Sequence, residues 1–404
     1  MPTMKPRRSW QSLAHVPAHT LRRRQDKALA RYLREELYAL SPHYRRVLDE
    51  AGVDVRRIRG VPDLAGLPFT ERADLQGDSK DRVLRPTPHA MREHWGFTRK
   101  LALALGGERA GQALRRGYEL ASEIPVDAPL RQTACTRYDL DLLAEVGLRA
   151  VLQLDLVQGT RLVSALPPEG PTPATLAGAL LAGAQNPRAT GGAPLSLHCP
   201  GGPHARGLHG SSRGAPELDQ VLAALDDPQP SALIAPPQTL SRIAQAALDS
   251  SRSYPHLKWL IVAGSTAPSS KEAATWVALA PAARVARIHG RPEWPMAFVE
   301  SARPVTTMAQ APEAGAGFIV HPDLCILEII DPQTRQPVAE GQPGEVVYTS
   351  LAAHGRALLR YRTGDWAAQG LVWTPDPDNG DCTLPRLSSR LRPLETHSID
   401  SGAH

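Results

Sequence analysis

The sequence predicts an α/β protein in which parallel sheets sandwiched by helices are followed by a small antiparallel, barrel-like β subdomain. Two stretches carry that prediction. Between residues 136 and 290, helical segments alternate strictly with short apolar strands, the pattern of a parallel sheet with helical crossovers. After about residue 315, "GAGFIVHPDLCILEIIDPQTRQPVAEGQPGEVVYTSL" holds strands and turns with no helical segment between them. At 404 residues the chain exceeds one ordinary domain. The expected division is a helical lead-in at 1–118, an α/β core at 119–312, a β-rich subdomain at 313–392 and a tail at 393–404.

The elements follow in order. Leu29, Tyr32, Leu33, Leu37 and Leu40 recur at helical spacing until Ser41-Pro42 breaks the pattern, and a second helix runs to Gly52. "VPDLAGLPFTERADLQ" (61–76) reads as a short helix, an extended Leu67-Pro68-Phe69, and a helix capped by Thr70, with Glu71 and Asp74 favouring its start. Residues 92–118 are a further helical block. "TRYDLDLLAEVGLRAVLQLDLVQG" is a helix to about Leu156, and "RLVSALP" is a buried strand. A helix over 173–186 and a strand in "APLSLHCPGG" come next. Then "PELDQVLAALDD", "QTLSRIAQAALDSS" and "SSKEAATWVALA" are helices, interleaved with the strands "PSALIAPP", "LKWLIVAGS" and "ARVARIHG".

Apolar residues make up 42% and charged residues 22%, the balance of a globular rather than a disordered chain. The longest apolar run, near Ala174–Ala184, is too short to span a bilayer, and no secretory signal opens the chain, so a cytoplasmic protein is expected. Cys135, Cys199, Cys325 and Cys382 form no CxxC pair, which argues against a disulfide framework or a self-contained zinc motif. The net charge of +5 is uneven: residues 1–59 carry 14 Lys/Arg against 6 Asp/Glu, a net +8. A solvated helix face, a partner surface or nucleic acid would each explain that charge. No interleaved aromatics or base-reading motif accompany it, which argues against nucleic acid.

Four stretches then carry a resemblance: "AGVDVRRIRGVPDLAGLPFTERADL", "LKWLIVAGSTAP", "ARIHGRPEW" and, most specifically, "LEIIDPQTRQPVAEGQPGEVVYTSLAAHGRALLRYRTGDWA" (327–367). The chain resembles the phenylacetate–CoA ligase branch of the adenylate-forming (acyl-CoA synthetase, AMP-binding) superfamily over most of residues 30–392. The resemblance implies ATP or AMP, Mg²⁺ and CoA as cofactors, with a nucleotide and a carboxylic acid as small-molecule partners.

It also implies roles. Asp365 stands where the family has the carboxylate that accepts both ribose hydroxyls, bonds that are short because one partner is charged; the plainer reading is an aspartate in a turn beside Gly364. Arg362 either pairs with Asp365 or lines the mouth of the site. Gly264 and Ser265 end the strand that would lie against adenine, with an ordinary strand-ending turn as the equal alternative. His289, Gly290 and Glu293 fall on the family's Tyr-Gly-x-Thr-Glu turn, with Glu293 as the Mg²⁺ ligand and only catalytic candidate. Arg390 matches the family's hinge arginine, although Ser389 replaces the glycine.

The sequence departs from the family at several points. Pro292 stands where the family has threonine and offers no donor. The stretch "YELASEIPVDAPLRQTA" (118–134) takes the place of the family's Gly/Ser/Thr-rich phosphate loop, yet it contains no glycine and three acids, Glu119, Glu123 and Asp127. Acids repel phosphate, and a glycine-free loop is a poor anion cradle; Thr133 and Arg131 are the remaining donors. The family's C-terminal domain, with its catalytic lysine, has no counterpart after "LPRLSSRLRP". Of the zinc-cluster cysteines some relatives carry, Cys382 remains, with Ser301 where a partner would stand, and one thiol makes no zinc site. His198, Cys199, His204 and His209 read as a surface loop rather than a metal site.

Whether the chain is an enzyme is therefore open. One reading is a catalytically impaired family protein, a pseudoenzyme that keeps at most an adenosine or acyl pocket. The alternatives are an active acid–CoA ligase completed by a separate C-terminal-domain protein, and a scaffold that binds no nucleotide. The acyl substrate and oligomeric state are not encoded in any local pattern.

Overall fold

The computed structural model describes residues 10–76, 79–125, 132–154, 156, 160–166, 196–198, 218–227, 230–291, 293–300, 303–310, 317–355, 357–373 and 382–394. The helix expected at 173–186 lies outside them, as do Asp127, Arg131, Cys199, His204, His209, Pro292 and Ser301.

Among the described residues, the alternation read from the sequence becomes a ten-stranded sheet. Its parallel half is β3 (Arg161–Ser164), β4 (Ser196–His198), β5 (Ala232–Ala235), β6 (Trp259–Ala263) and β7 (Arg284–Arg291), in spatial order β4-β3-β5-β6-β7. Side chains alternate across the sheet, so each strand feeds two cores. Leu233, Ala235, Leu260, Val262 and Val285 face the helices Leu218–Asp226, Pro237–Asp249, Ser270–Leu279 and Val305–Gln310. Ala232, Ile234, Ile261, Ala286 and Ile288 face the Arg137–Gln153 helix and a second sheet.

That second sheet is open, four-stranded and antiparallel among the described residues: β11 (Cys325–Ile330), β12 (Gly344–Ser350), β13 (Tyr361–Ala367) and β16 (Leu391–Pro393). The C-terminal β segment is shared between the sheets. Beyond β7 the large sheet turns antiparallel through β8 (Trp294–Glu300), β10 (Phe318–Ile319), β15 (Arg386–Leu387) and β14 (Leu371–Val372), with β9 (Arg303–Pro304) beside β7. No helix among the described residues is long and apolar enough to cross a membrane.

Three local expectations need correction. Thr70 is not a helix cap: its N–H donates to Arg360 O (3.1 Å) and its carbonyl accepts from Arg362 N (3.0 Å), so the lead-in is stitched to β13. Asp74 supplies the local cap instead, accepting from Glu71 N at 2.7 Å. The helix expected to reach Leu156 stops at Gln153, and Leu156 N bonds back to Val151 O. The stretch 118–134 is largely a hairpin rather than a loop, with β1 (Leu120–Pro125) antiparallel to β2 (Gln132–Thr136).

Several arginines of the basic lead-in are engaged by neighbouring groups. Arg99 pairs with Glu35 and Glu36, Arg22 pairs with Glu340, and the Arg45 guanidinium donates to the carbonyls of Tyr38 and Ala39.

Candidate functional site

The "YRTGD" stretch is the edge of a bulge. In the β12–β13 ladder Val347 opposes Arg362 and Glu345 opposes Trp366, so Thr363, Gly364 and Asp365 stand opposite Val346 alone. Gly364 takes φ +72°, a backbone state costly to other residues, and its added Cβ position is open space. Bulges re-aim side chains, often beside functional sites. Here Asp365 turns inward with Tyr361 and Thr363, while Arg362 and Trp366 lie on the other face of β13 and are half-buried.

Asp365 is held from two sides. Its N–H donates to Thr363 Oγ1 (3.1 Å), and Thr363 Oγ1 donates to Val346 O (2.8 Å). Its carboxylate receives a two-pronged guanidinium from Arg291: Nε donates to Oδ2 at 2.8 Å, and Nη2 reaches Oδ1. Burial works against the charge of Arg291, but Asp365 outweighs it and holds the guanidinium above its ordinary pKa. Arg362 is not the partner of Asp365. It donates to Glu345 at 2.9 Å and Glu71 at 3.2 Å, because strand alternation puts it on the opposite face. Arg360, the other arginine of the motif, is structural: it donates to Glu328 and to the carbonyls of Leu67 and Ala65.

The β7–β8 hairpin carries the remaining residues. Arg287, His289 and Arg291 occupy alternate positions on β7. His289 is buried and tilts against Phe318, with Trp294 edge-on. Burial lowers its pKa to about 4, so it is neutral at pH 7; Asp365, 3.9 Å away, pulls the other way without prevailing. Gly290 is buried between His289 and Arg291. Glu293 is buried, and its Oε1 accepts from the Tyr361 hydroxyl at 3.4 Å.

Three neighbouring buried atoms, His289 Nε2, Glu293 Oε2 and Trp294 Nε1, have no hydrogen-bond partner among the described residues. An unmet buried polar group costs roughly 1–3 kcal/mol, so such a cluster is the place where a ligand's polar groups would be satisfied. No group of three or more His, Cys, Asp or Glu side chains among the described residues could hold a metal ion. Glu293 is a single carboxylate, and the positive guanidinium of Arg291 acts on it.

The other expected residues lie around this centre. Gly264 follows β6 at φ +153° and donates to Ile288 O (2.9 Å), and a Cβ added there would meet the Pro237 ring at 3.5 Å. The carbonyl of Ser265 accepts from Arg287 Nη1 at 2.9 Å, which ties this turn to β7. Arg390 is exposed between β15 and β16; its N–H donates to Ser388 Oγ, and its carbonyl accepts from Ala368 N.

Sequence reading overlooked Arg291, Trp294 and Tyr361. The one signal for Arg291 was a charged residue two positions from His289 and from Glu293.

No family model matches the chain. It is 26% identical over 353 residues to a phenylacetate–coenzyme A ligase of Thermus thermophilus, a match that covers 87% of this chain and 66% of that protein. The chain therefore spans about two thirds of the length of that curated relative. Among solved structures, a 2-hydroxyisobutyryl-CoA ligase superposes with a TM-score of 0.69 at 19% identity, covering 97% of this chain and 74% of the other. That structure is an open conformation in complex with 2-HIB-AMP and CoA. The same ligase in its postadenylation state, in complex with 2-HIB-AMP, gives 0.65 at 18% identity over 97% and 72%. In sequence the chain is thus similar to a phenylacetate–coenzyme A ligase, and it shares its fold with an adenylate-forming CoA ligase.

Proposed function

We propose that this chain is an acyl-adenylate-family protein whose adenylating step is impaired and whose surviving site is an adenosine or acyl pocket built around Asp365. The observation that carries the reading is the inward turn of Asp365 at the β13 bulge, next to the unpartnered atoms of His289, Glu293 and Trp294. Asp365 offers a carboxylate to a ribose diol, Gly264 and Ser265 would flank the base, and His289 would act as a neutral polar neighbour. Arg390 would act at the rim, whereas Arg362 is turned away from the pocket to Glu345 and Glu71.

The phosphate end fits poorly. A triphosphate needs backbone N–H groups and cations around it, and the β1–β2 hairpin has Glu119 at its base and no glycine in 118–134. Mg²⁺ would depend on Glu293 alone, against the charge of Arg291. ATP·Mg²⁺ is therefore not a group this donor set accommodates, and we derive no reaction step through it.

The test is twofold. AMP titrated calorimetrically should bind the wild type and lose at least tenfold in affinity in Asp365→Ala. ATP·Mg²⁺ with a panel of aryl and acyl acids should release no acid-dependent pyrophosphate. Acid-dependent release would overturn the impairment and establish an adenylating enzyme, and acyl-CoA formed on adding CoA would make it an active acid–CoA ligase. Release only after adding a separate lysine-bearing C-terminal-domain protein would do the same and identify the partner. An Asp365→Ala variant that binds AMP as well as the wild type would remove the pocket and leave a scaffold without nucleotide.

A further inference from the structure

The guanidinium of Arg291 sits on the two oxygens that a ribose would need. Arg291 lies at the end of β7 in the large sheet and Asp365 on β13 in the small one, 74 positions apart, so the pair closes the space between the sheets. The Arg291 side chain is 25% exposed against 5% for Asp365, so the arginine lies on the solvent side and the acid beneath it.

We propose that Arg291 is a built-in stopper on Asp365, which suppresses nucleoside binding until the guanidinium is displaced. The inference rests on the adenosine-pocket reading and adds a regulatory device to that same site.

A vicinal diol and an arginine fork compete for the same geometry: each presents two donors to the two oxygens of one carboxylate. The fork is charge-assisted and the diol is neutral, and charge-assisted bonds are roughly twice as strong. His289, the other basic side chain beside Asp365 at 3.9 Å, is neutral at pH 7 while the fork is in place, so the fork carries the positive charge that Asp365 meets. A nucleoside would therefore have to break a nearly buried ion pair before it met its acceptor.

Adenosine is the probe of choice, because it has no phosphate that removal of Arg291 could deprive of a partner. Calorimetric titration would compare wild type, Arg291→Ala, Arg291→Lys, Asp365→Ala and the Arg291→Ala/Asp365→Ala double variant, each checked by near-UV circular dichroism. Arg291→Ala should bind adenosine at least tenfold tighter than wild type, and the double variant should lose that gain. Arg291→Lys keeps the charge but not the fork and should fall between. Equal or weaker adenosine binding by a folded Arg291→Ala overturns the proposal, as does a gain that survives in the double variant. If Arg291→Ala does not fold, Arg291→Lys decides: a severalfold gain supports the stopper and no gain overturns it. Asp365-dependent AMP binding in the wild type with no gain in either Arg291 variant removes the stopper while leaving the pocket standing.

Discussion

Arg287 and Glu300 meet across the β7–β8 hairpin as an ion pair with side chains 0% and 1% exposed, Nε to Oε2 at 2.6 Å and Nη2 to Oε1 at 2.8 Å. A third nitrogen of the same guanidinium donates to Ser265 O, so the pair sets both the hairpin and the turn after β6. Desolvating both charges costs several kcal/mol and is offset only while the geometry stays complete. Arg287→Ala should therefore cost about 3–5 kcal/mol, because it strands a buried carboxylate. Urea unfolding measures this, and Arg287→Met with Glu300→Leu should be markedly milder than Arg287→Ala.

Arg360 should behave in the same way at the junction of lead-in and small sheet. It is buried, it pairs with Glu328, and its guanidinium lies 3.9 Å from the Phe69 ring centroid. Burial raises the Glu328 pKa against the opposing pull of Arg360. Arg360→Ala should lower stability by about 3–5 kcal/mol by leaving Glu328 unpaired. Arg360→Lys should recover less than half of that loss in the same unfolding assay. An ammonium cannot make the two-pronged contact with Glu328 while also donating to the Leu67 carbonyl.

Asp139 gathers four donors at the start of the Arg137–Gln153 helix: Thr136 N and Oγ1, both at 2.8 Å, His354 N at 2.9 Å and Gly355 N at 2.7 Å. A Cβ on Gly355 would fall 2.8 Å from Asp139 Oδ2 and 2.9 Å from Ala134 O. Asp139→Ala should cost about 2–4 kcal/mol, more than a usual cap, because it also orphans buried N–H groups. Gly355→Ala should destabilise as well, and thermal melts of both variants check the pair. A loss below about 0.5 kcal/mol in Asp139→Ala, the scale of an ordinary surface change, would contradict the network.

Acid should destabilise the fold through its buried histidines. Burial, helped by Arg149, lowers the His321 pKa to about 3 despite Asp323, and His289 lies at about 4. Unfolded histidine titrates near 6.5. Above that value both states are neutral and these groups give no slope. As pH falls below it, the unfolded chain takes up protons that the native chain refuses, so stability declines toward pH 4. At pH 5 the loss is about 2 kcal/mol per histidine relative to pH 7. His321→Gln should show a smaller drop in Tm between pH 7 and pH 5 than the wild type.

The sequence was most legible where structure is local. Each strand expected from 161 to 291 that falls on described residues is present, because short apolar runs bounded by helices report burial directly. The start of the long helix at Thr136-Arg137 was visible for the same reason. Thr70 was misread because its N–H and carbonyl are used by β13 and the residue before it, nearly three hundred positions later. Local cap chemistry gives no hint of that pairing.

By itself the sequence determined the α/β alternation, the β-rich C-terminal segment, the family resemblance and the candidate acids Asp365 and Glu293. Tertiary structure alone decided which charges meet. Arg362, three positions from Asp365, turned to Glu345 and Glu71, while Arg291, 74 positions away, took the aspartate. The physical reason is that alternation along a strand is encoded locally, whereas ion pairing depends on which strands the two sheets bring within hydrogen-bond reach of each other.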